Sequence, residues 1–390
     1  MIKPSSFTFM GEKFKKNSAL LYLLAVAVSV KVYLFIWASN YFNFIEYPQY
    51  NFLNIWYRWD SLAYITIATN GYSRAGLALD YFGFLSHFPP LYPILISLSS
   101  LILNTDKYFL GSFISIICCL LTTWYLYKLV FLETKNTRTS SLAVIFYLVF
   151  PISYFTNVPY SDSLFILLSV LVFYSLRRDK LILSGFFAFL GIMTRTTGIL
   201  FLPLFAFYIL QNWSLGWKKN CINSLKLFIL PSMSVFGYLL INKIYYGDFL
   251  FFINEYKTNV FTGKVLIVPF SETFNAIKTL LIGFSDSITS TYFMFSVGWN
   301  SIFVLICLLI IIYGFNKIPK IYTFFSATSL LFIASYGWGI SNSRYVFAIF
   351  PIYYSLALIK NKYVVGGLIA ISLIGLLYFV PIFTSGAWGF

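Results

Sequence analysis

Long apolar runs recur from one end of the chain to the other, and the polar residues gather in the short interruptions between them. Crossing about 30 Å of hydrocarbon takes roughly 20 mainly apolar residues in a helix. On that measure the runs predict spans near 18–39, 108–131, 140–157, 160–177, 181–196, 197–212, 223–245, 291–313, 320–338, 345–360 and 363–383. The run after HFPPLYP (87–93), roughly 89–103, is short and opens with prolines, so it reads as a re-entrant or interfacial segment. The runs are too long and too little alternating for a β-barrel. The expected fold class is therefore an all-α polytopic membrane protein, a bundle of about eleven transmembrane helices forming a single unit over 1–390.

Charge in the interruptions sets an orientation. With the amino terminus inside and 89–103 not crossing, the basic clusters Lys128/Lys135/Arg138, Arg177/Arg178/Lys180, Lys218/Lys219/Lys226, Lys317/Lys320 and Lys360/Lys362 all fall on the cytoplasmic side. The outer side then collects Glu46, Asp60, Asp80, Asp106, Asp162, Asp248, Glu255, Glu272 and Asp286, with Arg58, Arg74, His87, Arg195 and Arg344. Its two long loops, 40–107 and 246–290, are candidates for function, because long connections in compact proteins are seldom idle.

Composition agrees: 59% of residues are hydrophobic and 10% charged, well below the charged share of soluble domains. The formal charge of +15 comes as small clusters between apolar runs, which suits an anionic leaflet and speaks against nucleic acid as a partner. Cys118, Cys119, Cys221 and Cys307 have neither disulfide nor metal-ligand spacing, and the single histidine cannot build a multi-histidine centre, so no metal site is expected. The first apolar run is too long for a signal-peptide core and reads as a retained span.

The stretch WYRWDSLAYITIATNGY (56–72) organises the first outer loop. As a helix it would gather Trp59, Leu62, Ala63 and Ile67 on an apolar face and Asp60 with Tyr64 on a more polar one. Asp60 is then either a catalytic base or a cap paired with Arg58 in an interfacial anchor. Asp162 in NVPYSDSLF either caps a helix or binds polar substrate groups at the mouth of a membrane cavity. Arg195 in MTRTTG and Arg344 in SNSRYVFAIFP lie on the acidic side against the positive-inside trend; each can hold a phosphate or snorkel to headgroups. His87 can donate to a substrate or to a carbonyl, and Asp248 after Gly247 can bind substrate or form a turn.

Taken in order, RWDSLAYITIATNGY, HFPPLYP, PYSDSLF, MTRTTG and YGDFLFF resemble the PIG-V-like family of membrane glycosyltransferases, of the GT-C class, over about 56–255. The final third is matched mainly by position, through Arg344 to Pro351. The resemblance implies a multi-span enzyme with juxtamembrane helices in the first outer loop. It implies that a hexose, mannose in this family, is taken from a polyprenyl-phosphate donor and passed to a lipid-linked or glycan acceptor outside the membrane. Asp60 would be the catalytic base; Arg195 and Arg344 would hold the donor phosphate; Asp162, His87, Tyr64 and Asp248 would bind substrate. The chain departs from the family at Ala63, where relatives commonly have histidine, and at His87-Phe88, where they commonly have two phenylalanines. Both departures bear on the acceptor.

The donor is a substrate, and no cofactor is called for; divalent-metal dependence stays open. Membrane lipids are the remaining partner. Residue usage and the lack of an outer Asn-x-Ser/Thr sequon favour a prokaryotic cell membrane; in a eukaryote the place would be the endoplasmic reticulum. Two rival classes stay in view: a transporter or flippase of lipid-linked sugars, for which Lys31 inside a span is the one sign, and a non-catalytic subunit of the same shape.

Overall fold

A computed structural model of the chain describes residues 6–42, 52, 54–258, 265–282, 297–337 and 340–387. Glu46 and Asp286, both expected outside, lie beyond the described residues. The architecture is helical throughout the described residues, relieved by one antiparallel bridge between Leu266 and Tyr336. In order come α1 (Ser6–Tyr41), α2 (Ser61–Asn70), α3 (Leu79–Leu85), α4 (Leu91–Leu103), α5 (Lys107–Thr134), α6 (Thr137–Val149) and α7 (Asp162–Leu176). They are followed by α8 (Leu181–Thr194), α9 (Phe201–Gln211), α10 (Trp217–Tyr246), α11 (Phe251–Thr258) and α12 (Ser271–Ile282). The last are α13 (Trp299–Gly314), α14 (Lys320–Ala334), α15 (Asn342–Phe347), α16 (Pro351–Ala357) and α17 (Lys362–Thr384).

Among the described residues, four segments are long and apolar enough to cross a bilayer: Ser18–Tyr41, Lys107–Thr134, Trp217–Tyr246 and Lys362–Thr384. Seven shorter apolar helices accompany them. On α10, Leu225, Ile229, Met233, Phe236, Leu240 and Ile244 are exposed at three- and four-residue spacing, a stripe that in a soluble protein would face water. Facing lipid it costs nothing. This is an integral membrane protein.

At the centre stands α7, buried on nearly every side and packed against α5 and α8, while α8 in turn packs against α10. A helix apolar all round is one that other helices enclose. Gly185 shows how tightly: a Cβ there would lie 2.8 Å from the Lys226 carbonyl oxygen of α10. Lys31, buried in α1, donates from Nζ to Thr156 Oγ1, so the one cation noted inside a span has a protein partner.

Two expectations change, at 345–360 and on α2. The run 345–360 is not one span: α15 ends at Phe347, a turn follows, and α16 starts at Pro351, which cannot donate to the preceding turn. Segment 89–103 forms one short helix, α4, about 20 Å long and packed on α2 and α5. On α2 the faces also differ from those predicted. Ala63, Tyr64, Ile65, Ile67 and Ala68 are buried, whereas Leu62 is exposed and Trp59 precedes the helix, also exposed. Tyr64 turns inward because its hydroxyl finds a buried partner, as described below.

Candidate active site

The loop ahead of α2 is bent by Trp59, a bulky residue at φ +47°. Such a backbone costs roughly 1–3 kcal/mol and marks places where position matters. It sets Asp60 at the start of α2, where the carboxylate makes no capping hydrogen bond and is free to turn away from its own helix. The Asp60 backbone N–H donates to the Tyr160 hydroxyl at 3.1 Å, and that hydroxyl donates to the Arg58 carbonyl at 3.0 Å. One tyrosine thus bolts the Asp60 loop to the entrance of α7.

That entrance is itself pinned. Gly111 of α5 sits so close to Pro159 that a Cβ would be 2.6 Å from the proline ring, and Ser115 of the same helix donates to the Tyr160 carbonyl at 3.1 Å. Tyr64 Oη lies 2.5 Å from Ser161 Oγ, with its ring among Phe88, Tyr92 and Tyr160. Burial pushes the Tyr64 hydroxyl up to about 12, against the pull of Arg344 and Arg195. Asp162 follows in the first turn of α7, where the helix dipole favours a carboxylate.

The two arginines arrive from other parts of the chain. Arg195 caps the end of α8 in extended conformation. The turn beyond it is close: a Cβ on Gly198 would meet the Gly191 backbone at 2.7 Å, so only glycine allows the chain to fold back there. Arg344 is carried on α15, whose entry passes through Ser341 at φ +70° and is fixed by the Ser343 N–H donating to Asn300 Oδ1 at 2.7 Å.

Together they form a string of alternating charge. Arg195 Nη1 donates to Asp162 Oδ1. Arg344 Nε donates to Asp162 Oδ2 at 2.8 Å, and Arg344 Nη1 donates to Asp60 Oδ2 at 2.5 Å. Asp162 is fully buried, Arg344 and Arg195 are 4% and 7% exposed, and Asp60 is 28% exposed. Two carboxylates and two guanidiniums cancel, which is how charge survives burial. Burial alone would press Arg344 to give up its charge; Asp162 first and Asp60 second outweigh it and hold its ionisation above the ordinary arginine range. The planar cations also lie over aromatic faces, Arg344 over Tyr160 at 4.2 Å and Arg195 over Tyr345 at 4.8 Å.

The consequence for chemistry is a division of labour. Both Asp162 oxygens are occupied by arginines, so this acid positions cations. Asp60 keeps Oδ1 without a hydrogen bond among the described residues and is the acid an incoming molecule can reach. Arg195 spends one donor on Asp162 and retains the rest of its fork.

An apolar cavity of about 480 Å³ opens beside the string. Thr196 and Thr197, next to Arg195, and Asn342 and Tyr345, flanking Arg344, form its polar end. Val235, Leu239, Phe252, Ile253 and Phe332 form its greasy remainder. The arrangement suits a ligand with an anionic head and an apolar tail.

Asp60, Asp162, Arg195 and Arg344, singled out in the sequence, meet in this one string, and Tyr64 stands behind it. The alternative pairing of Asp60 with Arg58 does not occur. Arg58 donates from Nε to the Thr384 carbonyl at 2.9 Å, at the end of α17, because the turn at Trp59 points the two side chains apart. His87 touches two carbonyls, Nδ1 to Phe84 at 3.0 Å and Nε2 to Phe252 at 3.1 Å, and so ties the first loop to α11. Asp248 is exposed; it accepts from the Leu250 N–H and from Asn254 Nδ2, as a turn-forming acid does. Tyr160 and Tyr345 are not marked out by the sequence as single residues. The aromatic neighbour of each charged motif, Tyr-Ser-Asp and Arg-Tyr, was the available signal. Among the described residues, no three histidine, cysteine or acidic side chains converge as a metal site would need.

Comparison with known proteins adds to this picture. Residues 87–239, less than half of the chain, match the profile of the dolichyl-phosphate-mannose-protein mannosyltransferases. No curated protein matches. Among solved structures the chain is similar to ArnT from Cupriavidus metallidurans bound to undecaprenyl phosphate, with a TM-score of 0.54 and 14% identity over 91% of this chain and 62% of that one. It is also similar to the apo oligosaccharyltransferase of Archaeoglobus fulgidus, with a TM-score of 0.50 and 16% identity over 95% of this chain and 56% of that one. The chain thus spans less than two thirds of either. The all-helical bundle has the GT-C fold.

Proposed function

We propose that this protein is an inverting membrane glycosyltransferase that takes a hexose, mannose by our reading, from a polyprenyl-phosphate donor and passes it to a lipid-linked or glycan acceptor on the outer face. The observation that carries the reading is the string itself: a partly exposed carboxylate, on Asp60, joined to arginines whose chain neighbours Thr196, Thr197, Asn342 and Tyr345 line an apolar cavity. The match of 87–239 to mannosyltransferases supports the sugar, and the undecaprenyl phosphate held by ArnT supports the donor class.

In this scheme the polyprenyl tail lies in the cavity and the phosphate meets the free donors of Arg195. Asp60 Oδ1 takes the proton from the acceptor hydroxyl as its oxygen attacks the anomeric carbon. The bond from that carbon to the phosphate oxygen breaks, and the electron pair leaves on the phosphate. Its growing charge faces a guanidinium already in place, so no general acid is needed. Arg344, shared by both acids, positions Asp60; Asp162 positions both arginines. His87 and Asp248 keep a role only as supports of the loops they tie.

The test is transfer of labelled sugar from polyprenyl-phosphate-mannose to a mixed membrane-lipid extract by purified protein in liposomes, wild type against Asp60→Asn. General-base loss costs on the order of 10²–10⁴ in rate. We expect such a fall with the variant folded and still retaining donor. Equal transfer by the variant would remove Asp60 as base, and movement of labelled lipid between leaflets without transfer would replace the enzyme by a flippase.

A further inference from the structure

A second hollow, larger than the one beside the arginines, lies elsewhere in the described residues. About 930 Å³ opens where α7 hands over to α8 and α9 to α10, lined by Lys180, Lys219 and Lys226 among others. From Asp162 at the start of α7 the chain runs fifteen residues, about 22 Å, before reaching this region. It is the opposite end of the molecule.

On α10, Lys219, Asn223 and Lys226 stand at i, i+4 and i+7, one face of one helix, and all three line the hollow. Lys180 faces them from the start of α8, whose backbone is locked to α10 at Gly185. None of the three ammonium groups has an ion pair among the described residues. The only acid in the lining, Asp179, accepts from the Tyr208 hydroxyl at 3.5 Å. Deeper along the same wall the lining turns apolar, with Ile182, Phe186 and Leu230. Between the lining residues Asn212, Leu215 and Lys219 in the chain, Trp213 and Trp217, 53% and 73% exposed, stand edge to face at 6.1 Å, residues that favour the headgroup level of a bilayer.

We propose that this hollow is a binding site for an anionic membrane phospholipid of the leaflet opposite the Asp60 string, with the headgroup phosphate among the three lysines and an acyl chain against Ile182, Phe186 and Leu230. Three unpaired cations above a greasy wall at indole depth match that chemistry: a soluble anion has no use for the wall, and a neutral lipid none for the lysines.

The experiment uses the full-length protein in nanodiscs of phosphatidylcholine containing a small fraction of phosphatidylglycerol, with native mass spectrometry counting the lipids retained on ejection. Each lysine near an anionic headgroup is worth roughly a fivefold preference. Wild type should keep one phosphatidylglycerol in clear excess over phosphatidylcholine, and Lys180→Ala/Lys219→Ala/Lys226→Ala should lose that excess. Should the triple variant fail to fold, single Lys219→Ala and Lys219→Arg variants give the same reading: alanine lowers the excess severalfold and arginine restores it. Lys360→Ala/Lys362→Ala, on the same side but outside the hollow, should leave it unchanged. Equal retention of both lipids, or an excess unaffected by the lysine variants, overturns the proposal. Displacement of the retained lipid by millimolar inorganic phosphate would assign the hollow to a soluble anion instead.

Discussion

The two ends of the α7–α8 hairpin handle charge in opposite ways. At one end Arg344, Asp162 and Arg195 are almost wholly withdrawn from solvent, Asp60 is partly so, and each is paired. At the other, Lys180, Lys219 and Lys226 are exposed and carry no counterion among the described residues. Buried charge must be matched by the protein itself, because no water is there to do it. Exposed charge can wait for a partner. The first end is therefore built for a fixed geometry and the second for capture.

That contrast can be broken. Asp162→Ala strips two buried guanidiniums of their shared acid, and losing one partner of a buried pair costs about 3–5 kcal/mol. Denaturant unfolding in detergent should show a loss of that size; a change under about 1 kcal/mol would mean that the string contributes little to the fold. Arg344→Lys keeps the charge but not the fork that spans two carboxylates. We expect a smaller stability loss, about 1.5–3 kcal/mol, and a fall in transfer rate that exceeds any change in donor binding.

Tyr64→Phe removes one hydroxyl contact and should cost about 1 kcal/mol at neutral pH. It should also change the response to alkali. An unfolded tyrosine titrates near 10, whereas the buried hydroxyl holds its proton to about 12. Between those values the unfolded chain binds fewer protons than the folded one, so wild-type stability is complete below pH 10 and falls as pH rises through 12. The phenylalanine variant should show a shallower fall over that window. Smallest of all, Lys219→Ala in a neutral detergent should shift stability by less than about 0.5 kcal/mol. A large shift there would mean that the lysines are structural and would erase the contrast.

Much of this was legible before any coordinates. Apolar run length gave the helical membrane class, Arg195 and Arg344 stood out against the positive-inside trend, and Asp60 and Asp162 stood out by the motifs that carry them. What stayed hidden was long-range. Nothing local to Trp-Asp says that Asp60 turns to Arg344 and leaves Arg58 to the Thr384 carbonyl; that depends on a backbone turn at Trp59 and on a helix 284 residues away. The break at Pro351 was hidden because apolar residues continue through it. The faces of α2 differ from the periodic pattern because that pattern ranks tyrosine as polar, while a tyrosine with a buried hydroxyl partner packs as an aromatic. His87 and Asp248 look as reactive in the sequence as Asp60 does, and only their neighbours show that backbone groups occupy them.

The order of the string along the chain has a consequence for how the protein is made. Asp162 receives Arg195 only 33 residues after it is synthesised, but Arg344 follows it by 182 residues. While the later helices are still in the ribosome and translocon, the nascent chain can offer Asp162 only one of its two arginines and Asp60 no Arg344 to meet. Arrival of α15 then joins the first outer loop, the centre and the final third in a single event. Assembly of the reactive end is a late step of biogenesis, and a chain cut short before Arg344 would leave the translocon without it.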